Sequence, residues 1–192
     1  MPTSRTGLSF IAAMLLSAVA SGCAKTSDRE LATASIQPRA TVSKPALPPL
    51  AFADFCMRNG AQCRSNSRSG AIVNATPDAM IAIEQVNRQV NALIKPSDKE
   101  GAWRVNPATG NCNDYVVSKQ HALLAWGFPS SALLISVVKT PAGEGHLVLL
   151  VKTDQGDLVL DNLTGEVRTA AETPYLWIKR QTSADPWQWE AA

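Results

Sequence analysis

The sequence lacks a strong excess of charge of either sign. Its 192 residues carry 18 Lys and Arg against 16 Asp and Glu, which gives a net charge of +2. A protein that binds a nucleic-acid backbone normally presents a concentrated positive field, so this balance argues against nucleic-acid binding. The composition, 45% hydrophobic and 18% charged, is typical of a folded protein rather than of a disordered one.

The motifs of the common cofactor and metal enzymes are also missing. The sequence contains no P-loop, dinucleotide fingerprint or zinc-ligand spacing, so no cofactor is expected. Histidine is scarce, with two residues, and cysteine occurs four times. Chemistry that pairs a nucleophilic cysteine with a histidine must therefore use a very small set of side chains.

The longest hydrophobic run lies at the N-terminus. Leu8 to Ala20 is uncharged and follows Arg5, but it is too short for a comfortable membrane span. Residues 1–22 are therefore predicted to be a cleaved export signal, with an uncleaved anchor as the alternative. Residues 18–20 form an A-x-A site for ordinary cleavage. Residues 20–23 instead resemble a lipobox, which favours a periplasmic lipoprotein that is anchored to the membrane through Cys23.

Residues 23–50 have the composition of a tether. The segment is polar and then carries four prolines, and it has neither helical nor strand periodicity. Residues 51–192 are long enough for one domain, which we expect to be a monomer.

One cysteine belongs to the export signal and three belong to the predicted domain. Cys56 and Cys63 are close together in a loop-like stretch and can close a short disulfide in an oxidising compartment. That pairing leaves Cys112 free. The alternatives are a different pairing or an inert, buried Cys112 thiol.

The surroundings of Cys112 are those of a reactive thiol. A turn-rich segment ends at Asn111, and apolar residues follow at helical spacing. These residues are Val116, Leu123 and Trp126. Cys112 then lies in the first helical turn with Asn111 as the N-cap. Free N–H groups and the helix dipole favour a thiolate there, and the same N–H groups can face an oxyanion.

A nucleophilic cysteine needs a base, and the two histidines differ in position. His121 is nine residues along the predicted Cys112 helix, about 13 Å away at 1.5 Å per residue, so we expect it at the surface. His146 begins an apolar strand-like run, and Asp161 ends the next one after the turn DQGD. A hairpin could bring the strand faces of His146 and Asp161 together.

The simplest hairpin register does not place His146 opposite Asp161. A turn centred within residues 154–157 leaves the pair about four residues out of step, or roughly 13 Å at 3.3 Å per residue. A bulge at Gly156 or elsewhere is then needed to bring the two together. The alternative is that His146 is an ordinary polar residue at a strand edge and Asp161 a turn former.

Helices precede strands in the predicted domain, which indicates an α+β fold. A helix is predicted to start at Thr76-Pro77 and to end by Pro96. Its apolar side consists of Met80, Ile83, Val86, Val90, Leu93 and Ile94. Strands are predicted at 133–138, 146–152, 158–160 and 176–179.

Three short motifs, taken in order, resemble a known family. GNCNDY at 110–115, GHLVLLV at 145–151 and LVLDN at 158–162 are similar to segments of the bacterial transglutaminase-like cysteine proteinases. These are periplasmic members of the transglutaminase-like and papain-like superfamily. The resemblance covers nearly the whole predicted domain. It implies a helix with a catalytic Cys at its N-terminus, packed on an antiparallel sheet that carries His and Asp.

The resemblance also implies a catalytic triad. Cys112 is the nucleophile, His146 the general base and acid, and Asp161 the acceptor that orients the imidazole. Asn111 and Trp103 are candidates for the oxyanion site or the cleft, with a core position as the alternative for Trp103.

We therefore expect an exported cysteine peptidase that cleaves a protein substrate in the cell envelope through a thioester acyl-enzyme. The alternatives are acyl transfer of the transglutaminase type and a noncatalytic envelope binding module.

The resemblance bears on calcium as well. Adhesin-cleaving relatives carry acidic residues beside the catalytic cysteine, where calcium binds. Here the flanking residues are Asn111 and Asn113, and Asp114 is the acidic residue nearby. Because calcium prefers several carboxylate and carbonyl oxygens, these three residues are expected to bind it weakly at most.

Overall fold

The computed structural model describes residues 44–99 and 101–192. The predicted export signal, the lipidation site at Cys23 and most of the tether therefore lie outside the described residues. Within the described ranges, no helix is long and apolar enough to cross a membrane.

Three α-helices occur in the described part of the chain. They are α1 at Leu50–Arg58, α2 at Pro77–Leu93 and α3 at Cys112–Ala125. The side chain of Thr76 accepts a hydrogen bond from the backbone N–H of Ala79, and Pro77 occupies the first position of α2. Local signals therefore start α2 where the sequence predicts it.

Helix α1 replaces the loop that was expected around Cys56. Pro49, which precedes the helix, provides no side-chain cap. Phe52 and Phe55 are fully buried, so tertiary packing rather than local sequence stabilises these nine residues. Cys56 near the end of α1 forms the predicted disulfide with Cys63.

The strands form one large antiparallel sheet and one small parallel pair. They are β1 at Pro45–Ala46, β2 at Lys95–Pro96, β3 at Thr109–Gly110, β4 at Leu133–Lys139, β5 at Gly145–Thr153, β6 at Gly156–Leu160, β7 at Arg168–Thr169, β8 at Leu176–Gln181 and β9 at Trp189–Ala191. Among the described residues, the large sheet has seven strands in the order β1, β9, β8, β4, β5, β6, β7. Strands β2 and β3 form the parallel pair. The architecture is the expected α+β fold, and the four predicted strands correspond to β4, β5, β6 and β8.

The folded unit begins before residue 51. Pro45 pairs with Glu190 and Ala46 with Trp189, so β1 is an edge strand held by the C-terminal strand β9. Residues 45–50 thus belong to the folded domain rather than to the tether.

Helix α3 is the central element of the main core. It packs against α2 and β5, and every residue from Asp114 to Gln120 is buried. A helix that is buried on all sides is fixed by contacts in every direction. Trp126, which was included in the apolar helical pattern, instead follows the last turn and is 56% exposed.

Removing the disulfide should lower stability and leave the fold intact. The double variant Cys56→Ser, Cys63→Ser reopens a short loop, for which loop-closure entropy gives about 2–3 kcal/mol. We expect the free energy of unfolding in urea to fall by this amount, with an unchanged circular dichroism spectrum. An unchanged urea midpoint would contradict the prediction.

Candidate active site

Cys112 is the first residue of α3, and its side chain is partly exposed. Asn111 is the N-cap. Its Oδ1 accepts a hydrogen bond from the backbone N–H of Asn113 at 3.2 Å, and its Nδ2 donates to the backbone oxygen of Lys99 at 3.3 Å. The thiol therefore lies at the positive end of the dipole of a 14-residue helix, where it is accessible to a substrate.

The loop before Cys112 is held by the buried carboxylate of Asp114. Asp114 Oδ1 accepts a hydrogen bond from the backbone N–H of Arg104 at 2.8 Å. Asp114 Oδ2 accepts from Arg104 Nη2 at 3.1 Å and from the backbone N–H of Asn111 at 3.3 Å. A Cβ on Gly110 would lie 2.4 Å from Asp114 Oδ2, so glycine is needed where the chain passes this carboxylate. Together these contacts fix the start of α3.

His146 and Asp161 are brought close by the pairing of β5 with β6. Thr153 pairs with Gly156, so the turn is tighter and is centred earlier than the sequence suggested. Continuing this pairing one residue beyond β6 puts Asp161 opposite Val148, two residues from His146. The pairing is continuous, and the expectation of a bulge at Gly156 was wrong. The side chains of His146 and Asp161 are long enough to span this two-residue offset and to bring Nε2 within 2.8 Å of Oδ1.

The Asp161 carboxylate is the centre of a buried hydrogen-bond network. Its Oδ1 lies 2.8 Å from His146 Nε2 and accepts a hydrogen bond from the backbone N–H of Leu163 at 3.0 Å. Its Oδ2 accepts a hydrogen bond from the Tyr175 hydroxyl. Burial alone raises the pKa of Asp161, but these hydrogen bonds outweigh burial and lower that pKa below its ordinary value. The carboxylate is therefore an ionised acceptor that orients the imidazole.

His146 contacts both the carboxylate and the thiol. Its Nε2 is engaged by Asp161, and the Cys112 thiol acts on the pKa of the imidazole, which leaves Nδ1 as the nitrogen available to the thiol. Burial lowers the pKa of His146, but the hydrogen bonds and charges of Asp161 and Cys112 outweigh burial and raise the pKa to about 9. A protonated imidazole beside a thiol can stabilise a thiolate and later donate its proton.

The other sequence candidates lie in different surroundings. Trp103 is 2% exposed, and its ring centroid is 5.9 Å from that of Phe52 and 6.3 Å from that of Phe55. This is the core position that was the alternative for Trp103. The amide of Asn111 is committed to the helix cap, and His121 is exposed, as expected.

The calcium candidates do not fit a calcium ion. Both oxygens of Asp114 accept hydrogen bonds from Arg104, and Asn111 Oδ1 caps the helix. In the ranges that the structure describes, no three His, Cys, Asp or Glu residues are grouped to hold a metal. Calcium requires several free oxygen ligands, whereas the cation at this carboxylate is the guanidinium of Arg104.

Two residues of the site were not predicted from the sequence. Tyr175 lies before β8, and no local pattern connects it to Asp161. Arg104 likewise meets Asp114 only through the folding of the loop before α3. A signal did exist for Asp114, because Asn111 followed by an acidic residue three positions later is the spacing of a capping box.

The site has the composition of a thiol-dependent enzyme, since a buried imidazole lies between a carboxylate and a thiol at a helix N-terminus. The comparison with protein families agrees with this class. The family described as bacterial transglutaminase-like cysteine proteinase (BTLCP) matches residues 42–192. The chain therefore belongs to this family of cysteine proteinases. No curated protein matches the chain at a significant level.

Two solved structures have a similar fold. The calcium-bound form of LapG from Legionella pneumophila superimposes with a TM-score of 0.50 at 20% identity, over 68% of this chain and 73% of that chain. The EGTA-treated form gives a TM-score of 0.53 at 20% identity, over 74% of this chain and 76% of that chain. The similarity establishes a transglutaminase-like α+β fold.

Calcium removal should have little effect on this protein. Because Arg104 already supplies a positive charge to Asp114, we expect the melting temperature in EGTA to match that in excess calcium within about one degree. Arg104→Gln should lower the melting temperature in both conditions. Arg88→Gln, which breaks an exposed ion pair with Glu84 on α2, is the control and should leave it nearly unchanged. Micromolar calcium binding with a clear rise in melting temperature would contradict this.

The stability that His146 contributes should be lost at alkaline pH. Its folded pKa of about 9 exceeds the unfolded value of about 6.5, so its contribution is complete below pH 6.5 and is lost as the pH rises through about 9. Lys119, whose folded pKa of about 7 lies below its ordinary value, acts in the opposite direction above neutrality. We therefore expect the effect as a difference: over this range the free energy of unfolding in urea should fall more, or rise less, in wild type than in His146→Ala. His121→Ala, which changes the exposed histidine, should keep the wild-type slope. The prediction fails if wild type and His146→Ala have equal slopes.

Proposed function

We propose that the chain is an exported cysteine peptidase that hydrolyses a peptide bond in a protein of the cell envelope. The main support is that His146 Nε2 lies 2.8 Å from Asp161 Oδ1, while the Cys112 thiol at the start of α3 acts on the pKa of the same imidazole. The order thiol, imidazole, carboxylate is that of a nucleophilic triad. Membership of a cysteine proteinase family supports hydrolysis of peptide bonds.

The first half of the proposed reaction forms an acyl-enzyme. The Cys112 thiolate, paired with the protonated imidazole of His146, attacks the carbonyl carbon of the scissile bond. The N–H groups of Asn113, Asp114 and Tyr115 are bonded to Asn111, so the backbone N–H of Cys112 is the donor at the start of α3 that would stabilise the oxyanion. His146 then donates its Nδ1 proton to the leaving amine as the C–N bond breaks, and a thioester remains. Asp161 holds the ring through Nε2 throughout.

The second half consumes one water molecule. His146, now neutral, accepts a proton from water as the hydroxyl attacks the thioester carbonyl. The C–S bond breaks, the new carboxyl product leaves, and Cys112 returns as a thiolate paired with the protonated imidazole. The cycle therefore needs no cofactor.

A polar cleft beside the helix N-terminus is available to the substrate. A cavity of about 370 Å³ is lined by Lys99, Arg104, Thr109 and Asn111, among others. Basic and hydrogen-bonding groups of this kind suit a polypeptide more than an apolar ligand. Asn111, which lines this cavity, directly precedes Cys112 in the chain, although the thiol itself is not part of the lining.

The periplasm is the proposed location. The disulfide between Cys56 and Cys63 is typical of proteins that fold in an oxidising compartment. The apolar run in residues 1–22 supports export. Lipidation at Cys23 would then confine the enzyme to substrates near the membrane.

The chemical reactivity of the Cys112 thiol should be high and should depend on His146. We expect Cys112 to react with iodoacetamide at about pH 5.5 at least about tenfold faster than free cysteine, because the imidazole of His146 and the N-terminus of α3 activate the thiol. His146→Ala should remove this advantage, and peptide mapping by mass spectrometry should assign the label to Cys112. His121→Ala is the matched histidine control and should react like wild type.

Hydrolysis itself is tested by labelling new amino termini in an envelope protein fraction. Wild type should generate new termini, whereas Cys112→Ala and His146→Ala should not, and the double variant should be no worse than either. Amine incorporation without new termini would replace hydrolysis by acyl transfer. Full cleavage by Cys112→Ala, or a Cys112 thiol no more reactive than free cysteine, would reject the proposal.

A further inference from the structure

Lys119, in the middle of α3, is a buried lysine without a hydrogen-bond partner. Its exposed fraction is 0%, and no described residue accepts a hydrogen bond from its Nζ. Lysine is almost never fully buried unless its charge is compensated. Burial of this ammonium in the core must therefore be offset by an interaction other than a hydrogen bond.

Lys119 lies on the same face of α3 as Cys112. Positions separated by three and seven residues share one helix face, so Cys112, Tyr115 and Lys119 form a single stripe. Lys119 Nζ lies 5.9 Å from the centroid of the Tyr115 ring, a distance at which a ring attracts a cation. This stripe connects the buried ammonium to the N-terminus that carries the thiol.

The charge that acts on Lys119 is the carboxylate of Asp161. Burial lowers the pKa of Lys119 and Asp161 raises it, and the net result is a pKa of about 7. Asp161 is itself in contact with His146 of β5 and with Tyr175. The ammonium thus belongs to the same electrostatic cluster as the proposed triad.

The cluster is unbalanced without Lys119. A Cys112 thiolate and a protonated His146 cancel, and the ionised Asp161 then leaves one buried negative charge. We propose, building on the proposed function, that Lys119 is a positioning residue that offsets the Asp161 charge and favours the thiolate form of Cys112. It acts through the field of its charge and does not touch the substrate.

Lys119 should act on the thiol only at pH values at which its own side chain is charged. Below neutrality Lys119 carries its charge, so it should lower the pH at which the thiolate appears. Seven residues of helix separate it from Cys112 by about 10 Å, and a unit charge at that distance shifts a titration midpoint by about one pH unit at an effective dielectric constant of about 20. Above neutrality Lys119 loses its charge, and its effect should disappear.

The test compares the pH dependence of iodoacetamide alkylation at Cys112 in wild type and Lys119→Met. Methionine keeps most of the apolar length and removes the charge. We expect the acidic midpoint of the rate profile to move up by about one pH unit and the alkaline part to stay unchanged. Lys152→Met on β5, a partly exposed lysine whose Nζ lies 3.4 Å from Ser183 Oγ, is the control and should keep the wild-type profile.

Melting temperatures decide whether any change is merely structural. Asp161 keeps its hydrogen bonds to His146, Leu163 and Tyr175 in the variant, whereas the removed ammonium had none. We therefore expect Lys119→Met to melt within a few degrees of wild type, or above it, while its acidic midpoint moves. A destabilised or unfolded Lys119→Met, or a stable variant with the wild-type profile, would overturn the inference. A wild-type thiol that is unreactive at acidic pH would instead reject the proposed function.

Discussion

The buried carboxylate of Asp161 is the constraint on which the site depends. An ionised group at 2% exposure must have its oxygens satisfied, because an unpaired buried charge costs several kcal/mol. Its partners come from β5 through His146, from the following turn through Leu163, and from the segment before β8 through Tyr175. Asn91 of α2 also donates to its backbone oxygen at 2.9 Å. One residue thus ties the sheet, a loop and a helix around a single imidazole orientation.

The start of α3 is held by a second buried carboxylate in a different way. Asp114 binds the backbone and guanidinium of Arg104 and closes the capping box with Asn111, while Gly110 leaves the space it needs. Because every residue from Asp114 to Gln120 is buried, the start of α3 that carries Cys112 cannot shift without moving the core. The nucleophile candidate and its base candidate therefore sit on two rigid elements that pack against each other.

Neutral amides beside the thiol alter the charge balance of the site. Asn111 and Asn113 flank Cys112, and the Sγ of Cys112 lies 3.9 Å from Asn113 Oδ1. Carboxylates at these positions would oppose a thiolate and would need a cation to offset them. In this chain the guanidinium of Arg104 supplies the positive charge at Asp114, and we infer a similar role for Lys119 toward Asp161. The electrostatics of the site are thus provided by residues of the protein itself.

Local features could be predicted from the sequence because each depends on a few neighbouring residues. The start of α2, the N-cap before Cys112 and the main strands follow from capping, turn chemistry and periodicity. The offset between His146 and Asp161 was overestimated because the turn that sets it differs by a small shift that sequence pattern does not resolve. Helix α1, the contact of Tyr175 with Asp161 and the burial of Lys119 were decided by tertiary structure alone. Each joins residues far apart in the chain, and only packing in the folded core determines whether such residues meet.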